Sequence, residues 1–205
     1  MKGKLLPSTP RAVEIYREVI WVRRELYSDG DFFKVPDAWE KICEGNNKWR
    51  TQTYRTEKVE DYKRKAGIVV LDDFVTLSVD DRLMENARKG CKLSNYILAH
   101  EIGHLVLDHH AQNAVIKNFQ LFSGPNGMSN MPPTKEEMEA NIAAVFFQCG
   151  VALEDSALEA LPLAHRACTD VGYVKRAQRI VQLDVFQKEL WRQDSCYKRY
   201  ERVVL

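Results

Sequence analysis

Apolar residues recur at helical spacing from Thr9 onward, where Ile15, Val19, Val22 and Leu26 share one face. Thr9 is suited to cap this helix and Pro10 to its first position, and "SDGD" (28–31) stops it. A shorter helix is expected after Pro36, with Trp39 and Ile42 turned inward, ending at "EGNN". The period then changes. "KWRTQTYR", "AGIVVLD" and "FVTLSVD" are short, rich in β-branched and aromatic residues and separated by charged or Gly-containing breaks, which predicts about three strands. Helical spacing resumes after Asp81, breaks at "RKG" (88–90), and resumes near Ser94 through "ILAHEIGHLVLDHH" (97–110). Turn residues crowd "FSGPNGMSNMPP" (122–133). The next helix is signposted by Thr134 at the N-cap, Glu137 three residues on, and Pro132 and Pro133 blocking an earlier start, and it should run to about Gln148. From Glu154 the pattern is helical again, clearest from Val171 to Trp191.

These elements predict an α+β fold, mainly helical, with the small sheet packed on the helix that carries the two histidines. The chain of 205 residues, without internal repeat or low-complexity tract, reads as a single domain over 1–205. A formal net charge of +1 gives no overall field favouring nucleic acid or an anionic membrane. "MKGKLLPSTP" lacks the apolar run of a signal peptide, and no segment approaches a membrane span, so a cytoplasmic location is expected. Five widely spaced cysteines (Cys43, Cys91, Cys149, Cys168, Cys196), none in a CxxC pair, argue against a disulfide framework or a cysteine-zinc site and read as reduced and mostly buried.

The candidate chemistry lies in the quoted stretch. His100 and His104 stand one helical turn apart on one face, so both rings can aim a nitrogen at a single metal ion, with Glu101 beside that point. This is the mechanical content of an HExxH motif, although so short a pattern also arises by chance. Context favours metal. Ile97, Ile102, Leu105, Val106 and Leu107 surround the histidines, and polar groups carried into such an interior need a partner. Gly103 leaves room for a neighbouring element. Glu139 shares a face with Ile142, Ala143 and Phe146 and is a candidate third ligand, since an acid on an apolar face needs a partner too.

"YILAHEIGHLVLDH" followed by "EEMEANIAAVFF" resembles the ImmA/IrrE family of zinc metallopeptidases, whose pattern joins HExxH to a downstream helix of the approximate form ExEANxFA. The resemblance covers about residues 65 to 150, including the strand-and-helix approach "GIVVLDDFVTLSVDDRLMENARKG". It implies a minimal gluzincin-like fold and one zinc ion held by His100, His104 and Glu139, with Glu101 as the catalytic acid/base; the donor set also suits manganese or another divalent ion. Three protein ligands leave one position for water, whose proton Glu101 can take and return to a leaving amine. The implied activity is hydrolysis of a peptide bond in a specific cytosolic protein, a transcriptional repressor of a mobile element or stress response. The chain has no helix-turn-helix of its own, so such a repressor is a separate partner. It departs from the family pattern at "FFQCG", where the family often has a Leu-Leu-Met-Pro-like ending, and in a long connection containing "SGPNG".

The competing reading is a zinc-binding regulatory or interaction protein that performs no proteolysis; Glu101 speaks against it, because a purely structural site needs no base. A zinc hydrolase acting on something other than protein is a third. Around the motif, His109 is a candidate partner of a ligand, though His109 and His110 also read as exposed residues at a helix end. His165 and Tyr173 are candidate oxyanion donors whose plainer reading is structural. Glu136 is a candidate for orienting a ligand, but Glu136 and Glu137 read first as residues of the helix's first turn. The segment Ala111 to Pro133 is expected to border the cleft as a lid, with substrate extended beside an edge strand such as Phe74 to Val79.

Overall fold

A computed structural model describes residues 7–57, 66–109 and 134–201, with the side chains of 194–201 excepted. The expected lid, 111–133, lies outside the described residues. The order of elements is α1 (Thr9–Leu26), α2 (Val35–Glu44), β1 (Trp49–Tyr54), β2 (Ala66–Leu71), β3 (Phe74–Asp80), α3 (Asp81–Arg88), α4 (Lys92–Val106), α5 (Lys135–Cys149), a 3-10 turn (Gly150–Leu153), α6 (Ala160–Arg166), α7 (Val171–Val181) and α8 (Asp184–Glu201). The α+β class expected from the periodicities is the one observed. No helix among the described residues is long and apolar enough to cross a membrane.

The three strands form one mixed sheet in the order β1-β3-β2. β3 pairs parallel with β1, Trp49 opposite Val75, and antiparallel with β2, Ile68 opposite Leu77. Phe74 to Val79 is therefore central rather than an edge, as its burial requires: Val75, Leu77 and Val79 are all enclosed. The edges among the described strands are β1 and β2, and β2 lies against α4. Smaller differences concern helix ends. Ser8 rather than Thr9 occupies the N-cap of α1, and α4 starts at Lys92, two residues before Ser94. The run from Val171 to Trp191 is broken between Val181 and Asp184. Of the four described cysteines, all free, Cys149 alone is fully buried.

Two features fix the helix that carries the histidines. Asn95 in its first turn is wholly buried; its side-chain oxygen accepts from the Val35 N–H at 2.8 Å, and its amide donates to the Ala87 and Cys91 carbonyls at 2.8 and 3.0 Å. One satisfied amide thus ties α4 to the start of α2 and the end of α3. The second feature is Gly103. A Cβ there would sit 3.0 Å from the Ala140 carbonyl oxygen and 3.1 Å from the Ala143 Cβ, so α5 crosses α4 with backbone nearly against backbone. Hydrogen places no obstacle where a methyl would. On its far side α5 packs against α1, and its Ala144, Phe146 and Phe147 are fully enclosed.

Asp80 ends β3 and caps α3. Its carboxylate accepts from the Arg82 backbone and guanidinium and from the Thr56 backbone and hydroxyl, at 2.7 to 3.0 Å. Burial alone would raise its pKa, but these donors outweigh burial and hold it well below the ordinary carboxylate range.

Two outcomes follow from this packing. Gly103→Val drives α4 and α5 apart and is expected to cost about 1 to 3 kcal/mol in urea unfolding. Because the folded Asp80 pKa lies below the unfolded value of about 3.9, its contribution is complete above that value and is lost as pH falls toward the folded one. Unfolding free energies measured from pH 6 down to pH 2 should show this loss, and Asp80→Asn should remove that part of the slope.

Candidate metal centre

His100 and His104 lie on α4 at a spacing of four residues, and the spacing acts as expected: their Nε2 atoms converge to 3.1 Å. The third group at this point is Glu137, in the first turn of α5. Its Oε2 is 3.1 Å from His100 Nε2 and its Oε1 is 3.3 Å from His104 Nε2. The donor atoms of these three residues all lie within 4.8 Å of one another, and among the described residues no other such group of three occurs.

The structure does not bring Glu139 to the two imidazoles. Successive residues of an α-helix turn by about 100°, so positions 137 and 139 project on nearly opposite sides of α5. Glu137 faces α4. Glu139 faces α1, where its Oε2 accepts from Arg11 Nη2 at 2.7 Å and Nε at 3.1 Å. Its burial was legible from the apolar face around it; its partner, 128 residues earlier in the chain, was not.

The capping pattern of the sequence is formed in part, since the Glu137 backbone N–H donates to Thr134 Oγ1 at 3.3 Å. The carboxylate, however, is turned toward the histidines. The signal for this was Asn141, four residues on and hence on the same face. Its Oδ1 accepts from the Tyr96 hydroxyl at 2.5 Å, a second polar link between α5 and α4.

The geometry fits a small divalent ion. Two neutral imidazole nitrogens and a carboxylate oxygen present lone pairs to one another at 3.1 to 3.3 Å, which is repulsive unless a cation or proton lies between them. A tetrahedral ion 2.0 to 2.1 Å from each donor sets the donors about 3.3 to 3.4 Å apart, close to the separations observed. Burial opposes charge on His100, but its bond to Glu137 and the Glu101 and Glu137 charges overcome that and raise its pKa. Burial likewise works against ionisation of Glu137, and the two imidazoles reverse it, holding the carboxyl well below its ordinary range.

Glu101 has the opposite environment. Protein atoms crowd its carboxyl although part of the residue's surface stays open, and that desolvation raises its pKa despite the nearby imidazoles. The Ile68 N–H of β2 is its hydrogen-bond donor, so the edge strand and the candidate base are in direct contact.

Of the remaining candidates, His109 lies at the centre: its Nδ1 is 3.0 Å from His104 Nδ1 and its Nε2 is 3.4 Å from Glu139 Oε2. Tyr173 stacks on Tyr96 at 4.5 Å between ring centroids, and the Tyr96 ring is 6.5 Å from that of His100. His165 is exposed near the end of α6. His110 lies outside the described residues.

Comparison with protein-family models, curated proteins and solved structures finds no match to this chain. The reading of the site therefore stands on its donor atoms and their surroundings.

Metal stoichiometry separates the two glutamates. Glu137→Ala is expected to lose bound zinc on gel filtration at micromolar protein, whereas Glu139→Ala should retain one equivalent; the reverse result would restore Glu139 as the third ligand.

Proposed function

We propose that this protein is a zinc-dependent endopeptidase that hydrolyses a peptide bond in a protein substrate. The observation that carries the proposal is the placement of a carboxyl of raised pKa, Glu101, immediately beside the His100, His104 and Glu137 donors and against an edge strand. A site that served structure alone has no use for a proton acceptor at that position. The ion fits these donors as zinc, and manganese or another divalent ion would also be accepted.

A bound divalent ion would polarise a peptide carbonyl and lower the pKa of water toward neutrality. The rest belongs to the protein. Glu101 accepts the water's proton on its carboxylate and delivers it to the departing amine. The Ile68 N–H keeps the carboxylate turned toward the site. A substrate segment lying extended beside β2 would bring its backbone to Glu101 from the open side of the sheet. The electron-poor centre and the extended track together favour polypeptide over a compact substrate.

The resemblance of "YILAHEIGHLVLDH" and "EEMEANIAAVFF" to the ImmA/IrrE pattern supports a narrower reading: cytoplasmic cleavage of a helix-turn-helix repressor from a mobile element or stress response. In this reading Glu137, the first glutamate of the ExEAN pattern, takes the ligand role.

Glu101→Gln keeps the shape of the side chain but cannot accept the proton. It is expected to bind zinc and unfold like the parent while losing at least 100-fold in cleavage rate. Mass spectrometry of cells expressing each form should show fragments of one protein with the parent only, and purified parent with that protein should lose activity on chelation. Equal fragment patterns from both forms would favour a zinc-binding regulatory protein instead.

A further inference from the structure

We infer that His109, Glu139 and Arg11 form a positioning chain behind His104, through which helix α1 sets the metal affinity of the site without contributing a ligand. The inference rests on the metal-site reading above and adds a role for three residues outside the donor set.

The chain begins at a helix end. Asp108 takes a left-handed backbone conformation, φ 52°, and the His109 N–H reaches back to the His104 carbonyl at 3.0 Å, while the Asp108 N–H bonds the Leu105 carbonyl at 3.1 Å. This pair of bonds is a Schellman termination, and it folds residue 109 back under residue 104. The two imidazoles then meet edge to face, ring centroids 5.1 Å apart, with their Nδ1 atoms 3.0 Å from each other.

Two facing nitrogens at that distance share one hydrogen, and the direction of sharing is fixed by what lies beyond. His104 Nε2 faces Glu137 and His100 and must keep its lone pair there to serve as a ligand, so its hydrogen is on Nδ1. His104 therefore donates and His109 Nδ1 accepts. The His109 hydrogen is then on Nε2, directed at Glu139 Oε2 across 3.4 Å. That oxygen also accepts the two Arg11 N–H groups. The Arg11 guanidinium, 2.7 Å away, fixes that oxygen as an acceptor. Each link admits one direction, and together they permit one tautomer of His104. His100 is unlike it: its Nδ1 is buried without a hydrogen-bond partner among the described residues. The brace acts on one ligand only.

Hydrogen-bond partners behind a metal-bound histidine typically change affinity by about 10- to 100-fold when removed. The test is a zinc competition titration of the full chain against a chelator of known affinity. His109→Ala and Glu139→Gln should each bind zinc about 10- to 100-fold more weakly, and the double variant no more weakly than the weaker single, because both break one chain. All three should still take up one equivalent at saturation. Nitrogen-detected NMR of the zinc-loaded parent should show a His104 Nδ1 proton protected from solvent, absent from His109→Ala; a role confined to packing would not move it. His109→Gln serves if His109→Ala does not fold. Affinity within threefold of the parent for the folded His109 variant, or multiplied losses in the double variant, would overturn the chain. If the parent itself binds no zinc, the metal-site reading fails, a result distinct from either of these.

Discussion

The close crossing of α4 and α5 at Gly103 is the contact on which the site depends. With backbone almost touching backbone, the Glu137 carboxylate comes within hydrogen-bonding distance of both imidazoles and the Tyr96 hydroxyl within reach of Asn141. A side chain at position 103 would press on the Ala140 carbonyl and the Ala143 methyl and push α5, which carries both partners, away. The small residues opposite, Ala140 and Ala143, belong to the same device. The crossing thus accounts for five polar side chains inside an otherwise apolar interface, each with a partner on the other helix or beside it.

The same interface separates two carboxyls by environment. Glu137, flanked by imidazoles, is pushed toward the charged form, and Glu101, one residue from His100 but on a more crowded side, is pushed toward the neutral one. Groups of one type driven in opposite directions within a single site divide the labour between holding charge and moving protons. The sheet takes part through Ile68, whose strand is an edge because β3 inserts between it and β1.

What could be read from the chain was whatever is decided within one element. The His100–His104 pair is a property of a single helix, and the strands and the Thr134 start of α5 follow from local composition. The choice between Glu137 and Glu139 is not local. Both sit in the first turn and a half of α5, and which of them meets the histidines depends on the rotation of that helix about its axis, set by Gly103 against Ala140. The apolar surroundings of Glu139 correctly marked it as buried, but its counter-charge came from Arg11. The central place of β3 was hidden for a similar reason: strand order is a matter of pairing between segments, and alternation within "FVTLSVD" does not distinguish one neighbour from two.

The bond between Arg11 and Glu139 spans 128 positions of the chain. On a translating ribosome, which adds about 5 to 20 residues per second, those positions take roughly 6 to 26 s to produce. α1 forms its own backbone bonds in about a microsecond, yet its principal partners α5 and α8 are the fifth from last and the last of the described elements to be made. For that interval Val13, Ile15, Tyr16 and Val19 have a hydrophobic face and little to set it against. α1 is made well before the helices it docks against, and until they follow the nascent chain carries an adhesive surface.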